Sequence, residues 1–187
     1  MTSRHQDVET ILYGFKRITL KNVTALDDKP AHISRLRDKK WLQDCMKPQL
    51  ETCVPEEIAF LYEVARGSMV YGMYFQPIAS LATEQLYRVL EAGARHRCNQ
   101  LGLFKNKSGK KKVLPDTEFK KIVSALKQAG KIPDCDFDDW ETMPFLRNLY
   151  SHPKYQIIQP ELTQPKISPV TMAAHTADLL NRLFKQA

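Results

Sequence analysis

Three observations predict an all-α fold for this chain of 187 residues. Apolar residues recur at spacings of three and four, as on one face of a helix, along most of its length. Prolines, glycines and capping residues separate these stretches as helix starts and stops do. No stretch alternates apolar and polar residues convincingly in the manner of a half-buried strand. We therefore expect a bundle of four to five helices over residues 51–187, with residues 1–50 as a partly helical N-terminal extension.

The N-terminal extension contains two helical patterns. The first covers residues 3–18 and places five apolar side chains on one helical face: Val8, Ile11, Leu12, Phe15 and Ile18. A mostly polar loop follows over residues 20–31. A weaker helical pattern then occupies residues 33–46, and Lys47-Pro48 ends it because proline disfavours helical geometry in the residue before it.

Residues 56–98 carry the strongest helical pattern of the chain. Pro55 and the two acids after it are typical of a helix start, because proline fits the first turn and acids face the positive end of the helix dipole. Apolar residues then recur at helical spacing as far as Met73, and Pro77 allows a break and a second start. We expect two long antiparallel helices here.

A shorter helix is expected next, closed by Gly130, since glycine readily adopts the left-handed conformation at a helix end. Asp116 or Thr117 can cap its start with a side-chain oxygen. The loop before it, residues 102–115, holds the densest basic cluster of the chain: Lys105, Lys107, Lys110, Lys111 and Lys112. These lysines are candidate phosphate contacts, and a solvated loop would explain the same charges.

Two more helices are expected in the remainder of the chain. The first occupies about residues 145–151 after an acidic start at 138–139, with Pro144 in its first turn, where proline is tolerated. Residues 153–169 contain four prolines and predict an irregular connection. The last helix begins where this connection ends and carries an apolar stripe.

Composition narrows the class of protein. The chain carries 28 Lys and Arg against 21 Asp and Glu, a formal net charge of +7 that attracts polyanions, although many basic proteins bind no nucleic acid. Its polar N-terminus does not resemble a signal peptide, and the longest uncharged run, 17 residues, is too short and polar to span a bilayer. The four cysteines lack the spacing of a zinc site. We expect a soluble, cytoplasmic protein without a metal or cofactor.

One local string, FLRNLYSHP over residues 145–153, stands apart from the rest. Asn148 directly follows Arg147, and His152 lies four residues after Asn148. With 10 Arg, 5 His and 5 Asn in the chain, about 0.007 such matches are expected by chance. Asn148 and His152 share a helical face, and Pro153 favours a helix end at His152. A histidine at a helix C-terminus is favoured in its charged form by the helix dipole.

These residue types suit chemistry on a phosphodiester. A histidine titrates near neutrality and can transfer a proton, while the fork of an arginine can meet two phosphate oxygens at once. A purely structural role is the alternative. Arg147 could pair with an acid among residues 138–141, and Asn148 with His152 could simply cap the helix.

The string resembles the signature of the HEPN superfamily, an Arg followed after four to six residues by a His, most often with Asn next to the Arg. The resemblance covers about residues 56–186 and leaves residues 1–50 unaccounted for. It implies a metal-independent endoribonuclease that forms a 2′,3′-cyclic phosphate and a 5′-OH. Arg147 would stabilise charge on the phosphate, His152 would move protons, and Asn148 would orient the helix end or the substrate. Glu84 and Ser151 are candidate orienting residues.

The resemblance also implies partners and a setting. Family members pair so that two motifs face each other, which predicts a homodimer acting on RNA, in toxin–antitoxin or anti-phage defence, with an antitoxin or defence partner protein. Some members carry a Tyr two residues after the His; here that residue is Lys154, so we do not assign the chain to that toxin subgroup. A non-catalytic HEPN-fold module that binds nucleotide, RNA or a protein is the alternative, and an accidental motif in a helical interaction protein is the third hypothesis.

Overall fold

The computed structural model describes residues 39–72, 76–104, 117–151 and 169–185. Most of them belong to six helices, which are α1 (Lys39–Met46), α2 (Glu56–Tyr71), α3 (Gln76–Leu101), α4 (Phe119–Gln128), α5 (Asp134–Ser151) and α6 (Pro169–Lys185). No residue in these described ranges belongs to a strand. The predicted all-α bundle is confirmed, and five of the six helices lie within the range 51–187. The break before Pro77 is also where the sequence indicated it.

The central element is α3, which contacts α2 and α6 on one side and α4 and α5 on the other. Its apolar residues join the other helices in one core, whose largest fully buried side chains include Trp140, Tyr62, Tyr87, Met69, Leu86 and Leu90. Burying one large apolar side chain contributes roughly 1.5–3 kcal/mol. This core therefore fixes how the ends of the helices lie relative to one another.

The relative directions of the helices follow from contacts between them. Asp136 on α5 pairs with Arg182 near the end of α6, whereas Asp139 faces His175 closer to its start, so α5 and α6 are antiparallel. The helices α3 and α6 run in the same direction, because Gly93 lies against Leu180 and, further along both helices, His96 lies against Phe184. It follows that α5 is antiparallel to α3.

Glycines close two of these helices in the left-handed conformation. Gly130 has φ of 68°, and the amides of Gly130 and Lys131 donate to the carbonyls of Lys127 and Leu126 at 2.9 Å each. This pair of hydrogen bonds satisfies carbonyls that the helix end would otherwise leave unpaired. The predicted end of α4 at Gly130 is confirmed. Gly102, with φ of 59°, closes α3 in the same manner.

Two local expectations about helix starts were wrong. The N-cap of α4 is Glu118, without a capping side-chain hydrogen bond, rather than Thr117, whose carbonyl instead accepts a hydrogen bond from Arg95. The other predicted cap, Asp116, lies outside the described residues. Pro144 does not start a helix, since α5 runs continuously from Asp134 to Ser151 and contains it. A proline inside a helix removes one backbone hydrogen bond, and the burial of neighbouring apolar side chains offsets that loss.

The final part of the predicted N-terminal extension packs onto the bundle. The helix α1 contacts α2 and α6. The guanidinium of Arg66 on α2 is buried and donates to the carbonyl oxygens of Met46 and Pro48 at 3.0 and 3.1 Å. These bonds fix the chain just after α1. Among the helices described, none combines the length and apolar character needed to cross a membrane.

Candidate active site

The motif lies at the C-terminal end of α5. Arg147 and Asn148 belong to its last turns, and the helix ends at Ser151, directly before His152. The side chains of residues 147–151 and the whole of His152 lie outside the part of the chain that the structure describes, so the helix end expected at His152 stays a prediction. What the structure establishes is the backbone position of Arg147 and Asn148.

Because α5 is one continuous helix, it is possible to test whether Arg147 could form an ion pair with the acids among residues 138–141. Side chains pair along a helix when they are three or four residues apart. The acids at positions 138, 139 and 141 are nine, eight and six residues before Arg147, and its neighbours at three and four residues are Met143, Pro144, Tyr150 and Ser151. Asp139 instead faces His175, with 3.6 Å between Oδ2 and Nε2. The intrahelical ion pair considered from the sequence does not have the required spacing.

Glu84 is a buried carboxylate on the helix next to the motif. It is 7% exposed, and its Oε1 accepts a hydrogen bond from Nη2 of Arg88 at 2.6 Å. A buried charge is costly unless it is paired, so this position needs a cationic partner. The side chain of Arg88 is 58% exposed, so the pair lies at the surface of the bundle. Glu84 therefore holds the guanidinium of Arg88, and its role in orienting a basic group of the site stays a prediction.

A small pocket locates Glu84 relative to the motif. It is lined by Tyr87, Glu91, Phe119, Met143 and Pro144. Because α3 and α5 are antiparallel, the turn of α3 before Tyr87, which holds Glu84, and the turn of α5 after Met143, which holds Arg147, lie on the same side of this pocket. The pocket has room for little more than a water molecule, so a nucleotide would bind at the surface rather than inside.

Phe145 is a candidate that the sequence did not indicate. Its side chain is 66% exposed, although large aromatic residues usually contribute to cores. It precedes Asn148 by three residues on α5, which places the two on the same helical face. An exposed aromatic ring beside a phosphate-directed motif can stack on a nucleic-acid base. Only the structure distinguishes this position from a core residue, because the apolar pattern is the same for both.

The lysine segment is attached far from the motif. Lys105, Lys107, Lys110, Lys111 and Lys112 lie outside the described residues. The described chain resumes at Thr117, which contacts Arg95 in the second half of α3, whereas the motif lies level with Glu84 in its first half. The eleven residues between Glu84 and Arg95 correspond to about 16 Å along the helix. The structure therefore does not bring the attachment point of this segment next to the motif.

Among the residues that the structure describes, the cysteines and histidines form no candidate metal site. Cys45 and Cys98 are buried, and burial raises the pKa of their thiols to about 11 and about 12. No group of three His, Cys, Asp or Glu able to hold a metal ion occurs in the described ranges. Comparison of the chain with protein-family models, with curated proteins and with solved structures finds no match. The functional argument therefore depends on the residues of the motif and their surroundings.

Proposed function

We propose that this chain is a metal-independent endoribonuclease of the HEPN type, which acts in toxin–antitoxin or anti-phage defence in the cytoplasm. The observation that carries the proposal is the position of Arg147 and Asn148 in the last turns of a helix that ends directly before His152. A helix end is where a histidine can extend beyond the element and where the dipole favours its charged form. The absence of an acidic neighbour for Arg147 on α5 leaves its charge suited to a phosphate.

The reaction we propose is an intramolecular transesterification, in which the 2′-OH of a ribose attacks the adjacent 3′-phosphodiester. His152 of one copy takes the proton from the 2′-OH, and the 2′-oxygen attacks the phosphorus. The bond from phosphorus to the 5′-oxygen breaks, and His152 of a second copy donates a proton to that oxygen. The products are a 2′,3′-cyclic phosphate and a 5′-OH. Arg147 stabilises the charge that builds up on the phosphate oxygens in the transition state.

The surroundings of the motif support this assignment. Glu84 is buried on α3 and level with the end of α5, and we propose that it orients a basic group of the site. Phe145 is exposed on the face of α5 that carries Asn148, and we propose that it stacks on a base next to the cleaved phosphate. Ser151, the last residue of α5, is a further candidate for orienting His152.

The test is cleavage of labelled RNA, with and without a chelator, by the full chain and by the variant His152→Ala. We expect the full chain to cleave in both conditions and to leave a 2′,3′-cyclic phosphate. We expect His152→Ala to lose at least about a hundredfold in rate, the usual contribution of a positioned proton-transfer group. The matched control is His175→Ala on α6, whose histidine is partly exposed beside Asp139 and distant along α5 from the motif.

Full activity in a folded His152→Ala variant, judged by circular dichroism, would contradict the proposal. Equal losses in His152→Ala and His175→Ala would also contradict it, because they would indicate general destabilisation rather than loss of a proton-transfer group. Binding of RNA or nucleotide without any cleavage would favour the non-catalytic HEPN-fold module instead.

A further inference from the structure

The helix α2 is apolar on both of its faces. Its inner face buries Ile58, Tyr62, Ala65 and Met69 in the core. Its outer face carries four of the seven large hydrophobic side chains that the structure describes as exposed, namely Phe60, Leu61, Val64 and Tyr71, which are 43–67% exposed. A helix that is apolar all round is normally buried all round. The outer face of α2 therefore requires a partner.

The shape of this outer face indicates what kind of partner fits. Leu61, Val64 and Tyr71 follow one another at helical spacing, and Gly67 with Ser68 fill the interval between Val64 and Tyr71. A Cβ atom added at Gly67 would meet nothing within 4 Å. The stripe thus consists of two bulky ends separated by a low region about one turn long. A second helix with bulky side chains at its centre would fill that region by knobs-into-holes packing.

We infer that the outer face of α2 is the docking surface for residues 3–18 of the same chain. The helical pattern of that segment has its apolar residues at 8, 11, 12, 15 and 18, and the positions 71, 68, 67, 64 and 61 of α2 repeat the same intervals in the opposite direction. An antiparallel helix in this register places Ile11 and Leu12 over the low region at Gly67 and Ser68. Residues 8–18 and 61–71 both extend about 15 Å along a helix axis.

Charge favours the same orientation. The start of α2 is acidic, with Glu56 and Glu57 in its first turn, and Glu63, which pairs with Arg66, follows nearly two turns later. The end of the N-terminal stripe is basic, with Lys16, Arg17 and Lys21. The antiparallel register brings these basic residues alongside the acidic ones, and the parallel register would separate them. Exposed pairs of this kind contribute up to about 1 kcal/mol each, so they select the orientation while apolar burial supplies the affinity.

The length of the connection favours this occupant over a second copy of the chain. Residues 19–38 join the stripe to Lys39 at the start of α1, and α1 itself contacts α2. Twenty residues can span up to about 66 Å, which is more than twice the length of α2. A short tether of this kind gives an effective concentration in the millimolar range, so the intrachain contact wins at micromolar protein. The inference does not depend on RNA cleavage.

The test is a disulfide trap in the full chain. The exposed cysteines Cys53 and Cys135 are first replaced by Ser, and Phe15→Cys is then combined with Val64→Cys, its partner in the proposed register. The control combines Phe15→Cys with Phe145→Cys, because Phe145 is at least as exposed as Val64 but lies on α5. Under mild oxidation we expect at least about tenfold more intrachain disulfide in the first pair, with a yield that does not change on dilution. Peptide mass mapping measures both.

Equal yields in the two pairs would overturn the inference, and so would a disulfide that joins Val64→Cys of two copies and disappears on dilution.

Hydrogen exchange of the unsubstituted chain is a second measurement, and it needs no cysteine variant. We expect the amides of residues 8–18 to exchange at least about tenfold more slowly than those of 20–31, since docking protects a helix. Substitution Leu12→Asp should abolish this protection. Equal exchange in both segments would equally overturn the inference.

Discussion

Three charged side chains are buried in the described part of the bundle, and each has a charged partner. Arg66 pairs with Glu63 and Asp136 pairs with Arg182 at 2.6 Å, while the contacts of Arg66 and Asp136 also connect different parts of the fold. Glu84 pairs with Arg88, which is exposed on the same helix. Removing one partner of a buried pair leaves an uncompensated charge. The first two pairs therefore contribute to architecture, and Glu84 is the buried charge that lies level with the motif.

The four cysteines should divide into two reactive and two protected thiols. Cys53 and Cys135 are exposed, whereas Cys45 and Cys98 are buried. Since only an accessible thiol can react, a thiol reagent should label the exposed pair in the native chain and leave the buried pair unlabelled. Cys135 should react more slowly than Cys53, because its thiol donates to Oδ1 of Asp136 and this hydrogen bond raises its pKa. Absorbance of a released chromophore and peptide mapping measure the four rates.

The burial of Cys45 predicts how the free energy of unfolding changes at alkaline pH. The pKa of Cys45 is raised from 9.0 to about 11 in the folded chain, so its protonated form is favoured there. The contribution of this thiol to the free energy of unfolding is fully present below about pH 9 and is lost as the pH rises through 11.

The labelling experiment has its own control and contrary outcome. Four equally reactive thiols in the native chain at neutral pH would contradict the burial of Cys45 and Cys98, and full labelling in urea is the control.

Among the candidate site residues, Arg147, Asn148 and Glu84 could be named from the sequence and Phe145 could not. Arg147 and Asn148 were found because a rare residue string is visible without a structure. Glu84 was named as an orienting candidate, but its burial became evident only once α3 was packed against its neighbours. Phe145 was missed because an exposed and a buried aromatic residue give the same apolar pattern.

The glycines of α2 provide a matched pair of substitutions at the level of the element. In the Leu12→Asp background, where the outer face of α2 is not covered, Gly67→Ala should raise the free energy of unfolding by roughly 0.5–1 kcal/mol, because alanine has the higher helix propensity and the added Cβ meets nothing. Gly72→Ala should lower it by about 1–3 kcal/mol, the cost of overpacking. Its Cβ would lie 2.8 Å from that of Ala79 and 3.0 Å from the carbonyl oxygen of Met69.

Urea unfolding monitored by circular dichroism measures both changes in one protein. Gly72 is the C-cap of α2, and φ at this residue is −56°, so close approach rather than backbone conformation requires glycine there. A stabilising effect of Gly72→Ala would show that α2 and α3 can separate near Ala79 without loss. A destabilising effect of Gly67→Ala in the unsubstituted chain, absent from the Leu12→Asp background, would indicate that the docked segment needs the space at Gly67.

The elements themselves were largely predictable because starts and stops are local. Glycines at the ends of α3 and α4 and the proline near the start of α3 mark boundaries that depend on a few neighbouring residues. The continuity of α5 through Pro144 was not predictable in this way. Tertiary burial of Trp140 and Met143 outweighs the cost of a proline inside the helix, and that burial depends on residues far away in the chain.

At the scale of the whole molecule, the proposed reaction requires two copies of the chain. Each motif contains one histidine, and a reaction that removes one proton and donates another proceeds best with two. We expect a homodimer in solution with Arg147 of each copy near the twofold axis. Light scattering coupled to size exclusion measures the mass. A monomer that cleaves RNA at the same specific rate would contradict this composite site.

The net charge of +7 could attract RNA at long range, and basic residues could also contact its phosphates directly. The lysine segment allows these two contributions to be separated. The triple variant Lys110→Ala, Lys111→Ala, Lys112→Ala should weaken RNA binding without removing the chemistry. Each lost phosphate contact lowers the slope of log affinity against log salt by up to about 0.7 for single strands, since fewer counterions are released. Saturating RNA should restore most of the cleavage rate, which it should not do for His152→Ala.

The lysine segment is attached to the bundle about 16 Å along α3 from the motif. We therefore expect the effect of the triple variant on affinity to depend on the length of the RNA. Long RNAs can reach both places at once and short ones cannot, so the triple variant should lose affinity for long RNAs and little for the shortest cleavable ones. The control removes the same charge from Lys120, Lys121 and Lys185, of which the first two are exposed on α4 and the third ends α6. Equal changes in both triple variants would mean that the overall field, and not contact with this segment, attracts the RNA. Loss of cleavage at saturation in the first variant alone would instead place a lysine in the catalytic site.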